Sequence, residues 1–238
     1  MKREPPATHL LAELARRHSL PPGSDARLVH VLDALASEPD PPTTVREPAR
    51  AAREHVADSL SGLEVEALRQ AGRVADLGAG AGFPGLALAV ALPQAHVDLV
   101  ESSRRKCAVI ERLAAAAGVE NARALAQRAE ELAAGEGREA YDAVTARALA
   151  PLAVLAEYAA PLLRSGGALV AWKGSRDEAE EAAGAAASRE LGLSAAEVVP
   201  VVPFEGAHSR HLHVYRKLEP TPERFPRRPG IAAKRPLG

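Results

Sequence analysis

Val74-Ala75-Asp76-Leu77-Gly78-Ala79-Gly80-Ala81-Gly82-Phe83-Pro84-Gly85 decides the reading of this chain. A short apolar run, predicted as a strand over Val74–Leu77, empties into three alternating glycines, and Pro84 then suits the first turn of a helix. Glycine accepts positive φ and lets a ligand approach the backbone without a Cβ in the way. In an open α/β sheet such a loop lies at the carboxyl end of the first strand, where ligands bind. Two phosphate loops are excluded. Phe83 stands where the dinucleotide fingerprint needs its third Gly, and no Gly-Lys-Ser/Thr follows.

Asp76, two positions before the first glycine, disfavours an anionic diphosphate and suits a cation. S-adenosylmethionine is a cationic ligand of this kind, with a sulfonium and an α-ammonium. The next predicted strand, Val97–Glu101, ends 19 residues after Gly82 in a carboxylate that can accept hydrogen bonds from both hydroxyls of a ribose. Asp76, Gly78, Gly80, Gly82 and Glu101 are therefore candidate cofactor contacts.

Outward from this stretch, apolar runs alternate with helical ones. Further strands are predicted at Ala122–Ala126, Asp142–Ala146 and Ala168–Trp172. Helices are predicted at Pro84–Leu92, Ser103–Ala117, around Glu130–Ala133, at Pro151–Leu163 and over Arg176–Leu191. The alternation implies βαβ units and a mostly parallel sheet with right-handed crossovers. Val198–Pro203 and His211–Lys217 have no helix between them and should form an antiparallel hairpin at one edge. Before Arg73 the chain reads as a helical extension, with helices at 8–18 and 26–36, one from about Glu47 to Leu60, and another to about Gln70. The expected organisation is residues 1–70 as the extension, 71–218 as the sheet-bearing domain, and 219–238 as an extended tail.

The chain has 238 residues and a formal charge of −1, but the charge is unevenly placed. Residues 1–207 hold 22 Lys/Arg against 29 Asp/Glu; residues 208–238 hold 8 against 2. An acidic body thus carries a basic end, which suits a polyanion locally though not globally. Fifty-two alanines favour helices over a β-sandwich. Cys107 is the single cysteine and has no disulfide partner within the chain. Its place inside a predicted helix, with Ile110 and Ala114 on the same face, marks it as core. Met1–Pro6 leads into no apolar run, so no signal peptide is expected. The uncharged stretch Leu77–Ala95 contains four Gly and two Pro and cannot form a membrane span. A reduced, cytoplasmic protein is expected.

With these residues in view the chain resembles the GidB/RsmG family of bacterial methyltransferases. The matching segments are Asp76–Gly85 with Phe83-Pro84-Gly85, Val100–Leu113, Arg128-Ala129-Glu130-Glu131, and Tyr141–Ala148 with its Thr145-Ala146-Arg147-Ala148. Trp172-Lys173-Gly174, Arg210-His211-Leu212 and the tail Phe225–Gly230 with Lys234–Leu237 also match. The likeness covers about residues 43–238. It departs from the family where Pro41-Pro42 precede Thr43 in place of Asn-Leu. The resemblance implies a class I S-adenosylmethionine-dependent fold, a Rossmann-like seven-stranded sheet. It also implies methyl transfer to N7 of a guanine in small-subunit ribosomal RNA, with the RNA or the ribosomal subunit as partner to a monomer. Cofactor contacts are implied around Gly78, Phe83, Ala129-Glu130 and Arg147.

The residues suit that chemistry. Guanine N7 is nucleophilic and carries no proton, so positioning and desolvation can supply most of the acceleration. No Asp/Asn-Pro-Pro-aromatic tetrad of exocyclic-amine methylation follows the fourth strand; Thr145-Ala146-Arg147 stands there. Arg147 is the candidate catalytic side chain, placed to hold an RNA phosphate or guanine O6, or to anchor the cofactor. Arg104-Arg105-Lys106 begin a helix, where the macrodipole disfavours cations, and are candidate RNA contacts. Lys173, Arg210, Arg227 and Arg228 join them, the last two in the Pro-rich tail. His208, His211 and His213 lack a carboxylate or Cys to complete a metal site, and none is expected. His55 and Asp58, one turn apart, are expected to share a structural hydrogen bond. Two rivals stay open: a methyltransferase acting on a small molecule or protein, and a non-catalytic RNA- or nucleotide-binding module.

Overall fold

The computed structural model describes residues 6–238, so the expectation for the first five residues lies outside it. The strands are β1 (Arg73–Leu77), β2 (His96–Val100), β3 (Ala122–Leu125), β4 (Tyr141–Arg147), β5 (Leu163–Lys173), β6 (Glu197–Val201) and β7 (Arg210–Arg216). They form one sheet in the order β3-β2-β1-β4-β5-β7-β6. β1 to β5 run parallel, and β7 lies antiparallel between β5 and β6. The edge hairpin foreseen from the missing helix is present. β1 pairs with β2 on one side and β4 on the other, so successive connections leave the sheet in opposite directions at its carboxyl end. That divergence opens a crevice there.

Strand alternation sorts the core into two layers. Val74, Val97, Leu99 and Val170 point to one face, and Ala75, Leu77, Val144 and Leu169 to the other. The first face is covered by α1 (Ala7–Arg17), α2 (Ser24–Ser37), α6 (Gly85–Ala91) and α7 (Arg104–Ala116). The second is covered by α8 (Ala129–Ala134), α9 (Leu152–Ala159) and α10 (Glu178–Leu191). The amino-terminal helices therefore share a core with the sheet.

One expectation is refined and one corrected. The helix expected from Glu47 to Leu60 is present and continuous, but α3 (Pro48–Ala51) passes through a π-helical turn (Ala52–Ala57) before α4 (Asp58–Leu60). A 3-10 turn (Ser61–Glu64) and α5 (Glu66–Arg69) follow. Glu47 caps α3, its carboxylate accepting from the N–H groups of Ala49 and Arg50. The tail, read as extended, is docked instead. Phe225 and Ala232 are buried, and α11 (Ile231–Lys234) packs against α9. Too few apolar residues in the tail advertised this, because two well-placed ones suffice to seat it. Among the described residues no helix is long and apolar enough to cross a membrane.

Candidate functional site

Two cavities open at the carboxyl end of the sheet, and Ala148, just after β4, lines both. The first, about 340 Å³, lies over β1 and β2 and is bounded by Gly78, Glu101, Ala129, Glu130, Leu149 and Tyr158, among others. The second, about 410 Å³, lies toward β5 and is bounded by Glu54, His55, Asp58, Arg147, Trp172 and Arg210, among others.

The first cavity suits an adenosyl ligand. Gly78 holds φ +66°, a conformation that L side chains rarely adopt, and lies beneath the Leu149 side chain. Glu101 is 7% exposed, and its carboxylate accepts from Gly80 N–H at 3.2 Å and Ser103 N–H at 2.9 Å. Lys106 Nζ stands 3.5 Å from the same group. Ser102 Oγ also donates to Oε1 at 3.5 Å, so ribose hydroxyls can replace this long contact and the Lys106 one among the carboxylate's roughly four acceptor positions. Ala129 and Glu130 line the cavity as expected.

Three expected contacts are placed elsewhere. Asp76 is fully buried beneath the loop, where Oδ1 accepts from Thr145 Oγ1 and Oδ2 from Gly85 N–H, both at 2.9 Å. It does not line the cavity; it ties the glycine loop to β4. Burial pushes its carboxyl up to about 7 against the pull of those donors. Gly82 faces Leu86 and Ile110, so its role is packing. Phe83 turns away from the cavity into the core and stacks on His55, with ring centroids 4.9 Å apart. The backbone of the loop, and not these side chains, faces the ligand space. Gly80 meets the cavity only through its N–H bond to Glu101.

Arg147 lines the second cavity and not the first. Its Nη1 donates to Asp58 Oδ2 at 2.9 Å and to the carbonyls of Glu54 at 3.1 Å and His55 at 3.4 Å. Asp58 Oδ1 is buried and, among the described residues, has no hydrogen-bond partner, with Arg210 Nε 3.9 Å from it. Trp172 Nε1 donates to the Asp58 carbonyl at 2.8 Å. The expected His55–Asp58 bond is corrected: His55 Nε2 is paired with Thr43 Oγ1 at 3.1 Å, and Asp58 with Arg147. The π-helical turn alters the one-turn geometry assumed for an α-helix. Burial, reinforced by the Arg147 charge, pushes the His55 imidazole down to about 4.

The candidate RNA contacts divide. Arg104 and Arg228 are exposed, and Arg210 stands at the mouth of the second cavity. Arg105 is instead paired with Asp40, Lys106 with Glu101, and Lys173 with Glu180 at 2.5 Å. Arg227 is corrected most clearly, because two of its bonds go to the buried carboxylate of Glu157 and a third to the Arg235 carbonyl. His211 and His213 bond to the Gly174 carbonyl and the Glu181 carboxylate. The buried Cys107 Sγ donates to the Glu101 carbonyl. Thr145 and Tyr158 escaped the sequence reading. Thr145 was visible as a lone hydroxyl in an apolar strand, but its partner depends on the Asp76–Thr145 register. Tyr158 carried no signal.

Comparison with known proteins agrees with this geometry. Residues 42–212 match the family described as GidB, rRNA small subunit methyltransferase G. The Ribosomal RNA small subunit methyltransferase G of Rubrobacter xylanophilus is 44% identical over 196 residues, covering 81% of this chain and 75% of that protein. That of Symbiobacterium thermophilum is 39% identical over 225 residues, 91% of each. Among solved structures, a predicted O-methyltransferase of Agrobacterium tumefaciens superposes with a TM-score of 0.54 at 25% identity, covering 68% of this chain and 80% of that one. A glycine loop over β1, a carboxylate closing β2 and a match across most of the length make this chain a member of the GidB family of class I S-adenosylmethionine-dependent methyltransferases.

Proposed function

We propose that this protein transfers a methyl group from S-adenosylmethionine to N7 of a guanine in small-subunit ribosomal RNA. The Gly78–Glu101 cavity holds the cofactor, and the Asp58–Arg147 cavity receives the guanine. Bound there, S-adenosylmethionine supplies an electrophilic methyl on a sulfonium.

The observation that carries this reading is the shared wall at Ala148, which puts donor and acceptor compartments side by side. The unpartnered Asp58 Oδ1 supports guanine in particular. Guanine presents N–H donors on its Watson–Crick edge, whereas adenine presents an acceptor at N1, and a flipped base is read along that edge. A carboxylate gripping the Watson–Crick edge leaves N7, on the opposite side, free to attack. Arg147 fixes Asp58, and His55 stays neutral near pH 7, so the cavity offers an oriented acceptor without needing a base. Arg210 at the mouth, with exposed Arg104 and Arg228, is suited to RNA phosphates. In this reading residues 1–70 are a helical extension, 71–218 the methyltransferase domain and 219–238 its appended tail. The protein works as a cytoplasmic monomer.

The test is transfer of radiolabelled methyl to isolated ribosomal RNA and to small subunits, followed by mapping of the labelled nucleotide. Label at guanine N7 is expected. Label confined to a small molecule or protein, or cofactor binding without turnover, would replace this reading.

A further inference from the structure

The carboxyl-terminal segment reaches the first cavity from behind. Gly230 N–H donates to Glu130 Oε1 at 2.8 Å, and Glu130, only 6% exposed, lines that cavity. Arg227 Nε donates to Glu157 Oε1 at 2.6 Å while its Nη2 bonds Oε2. Glu157 lies in α9 immediately before Tyr158, which lines the same cavity. Arg227 Nη2 also donates to the Arg235 carbonyl at 2.9 Å, closing the segment around α11. Phe225 anchors its near end, fully buried, with Arg138 Nη1 donating to its carbonyl at 2.9 Å.

These contacts are built rather than incidental. Glu157 is 2% exposed, and a carboxylate so buried is tolerated only when paired and hydrogen-bonded, so Arg227 is held there. Gly230 has φ +79°, and a Cβ on it would meet nothing within 4 Å. Conformation, not space, selects glycine, and that conformation accompanies the N–H bond to Glu130.

We propose that residues 225–235 form a strap that sets cofactor affinity, with Arg227 and Gly230 as positioning residues acting through Tyr158 and Glu130. The strap rests on the reading that the first cavity holds S-adenosylmethionine. Arg227 then serves the fold of the cofactor site, and RNA recruitment falls to Arg210, Arg104 and the strap's exposed Arg228.

Two variants test this: R227Q, and the double variant E157Q/R227Q, which leaves no unpaired charge if the single one misfolds. The Kd for S-adenosylhomocysteine and the KM for S-adenosylmethionine should rise about tenfold, the equivalent of one charge-assisted hydrogen bond. The KM for small subunits and kcat at saturating cofactor should stay within about twofold. Unchanged cofactor affinity, or a defect confined to the RNA KM, would overturn the strap. Coupling is reciprocal, so the wild-type protein supplies an independent reading. S-adenosylhomocysteine should slow hydrogen exchange at the Gly230 and Ile231 amides, and equal rates with and without it would refute the proposal. E101A separates the two levels. If it abolishes cofactor binding while the strap variants bind normally, the strap alone fails. If E101A also binds normally, the cavity assignment fails and the strap with it.

Discussion

Arg147 Nη1 and Asp58 Oδ2 lie 2.9 Å apart, joining the carboxyl end of β4 to the helical segment of the amino-terminal third. The two side chains are only 15% and 8% exposed, so neither tolerates the loss of the other. Replacing Arg147 with Ala strands a nearly buried carboxylate and should cost about 3 kcal/mol of stability. Methyl transfer should fall on the order of a hundredfold or more. Arg147→Lys keeps the charge but is shorter and lacks the planar guanidinium that carries Nη1 to Asp58 and two carbonyls, and should recover only part of the activity. Urea unfolding and methyl transfer measured side by side decide the matter, and near-normal turnover in Arg147→Ala would remove this residue from the site.

Glu101→Gln addresses the first cavity. An amide has one acceptor oxygen in place of two, so it cannot serve Gly80, Ser103 and a ribose together. Cofactor Kd should rise about tenfold or more by calorimetry. The RNA KM should be unaffected. Equal affinity in the variant would place the ribose elsewhere.

How much of this was legible in the residues varies by element. The seven strands, their order of appearance and the edge hairpin follow from short apolar runs alternating with helical stretches and from the absence of a helix before His211. The glycine loop and Glu101 were legible because their chemistry is local in sequence. Asp76 was misassigned for the opposite reason. Whether a strand-end carboxylate faces ligand or core depends on its neighbour across the sheet, here Thr145, 69 residues away. Arg227 misled in the same way, since its partner Glu157 lies 70 residues back. Charge can be counted in a sequence, but pairing has to be folded.

His55 gives a pH prediction. Its folded pKa, about 4, lies below the ordinary 6.5, so the unfolded chain binds the proton first as pH falls. The stability it contributes is present above about pH 6.5 and is lost progressively down to about pH 4. In His55→Gln that loss is absent, so the stability gap between wild type and variant should narrow as pH falls through this window. His18, also pushed down to about 4, and Asp76 titrate equally in both proteins and cancel. Denaturant midpoints at several pH values measure the gap; a gap independent of pH would contradict a neutral, half-buried His55.

Trp172 is the chain's single tryptophan and lines the second cavity. Guanosine monophosphate or the RNA substrate should therefore change its fluorescence, whereas S-adenosylhomocysteine alone should change it little. Gly62→Ala offers a structural control, because a Cβ there would lie 2.7 Å from Trp172 Cη2. Overpacking should cost about 2 kcal/mol and displace the indole toward the cavity. Weaker RNA binding with unchanged cofactor binding is the expected pattern, and the reverse pattern would exchange the roles of the two cavities.

The π-helical turn over Ala52–Ala57 accommodates one more residue than an α-helical turn would. That surplus residue gives the segment a reserve of length. Deleting one residue within the turn should let it relax into ordinary helix while the residues on either side keep their register, so Asp58 stays toward Arg147 and Trp172 keeps its carbonyl partner. In an ordinary α-helix the same deletion would swing Asp58 through about 100° around the axis. For this stretch, then, a one-residue deletion should be less damaging than a one-residue insertion.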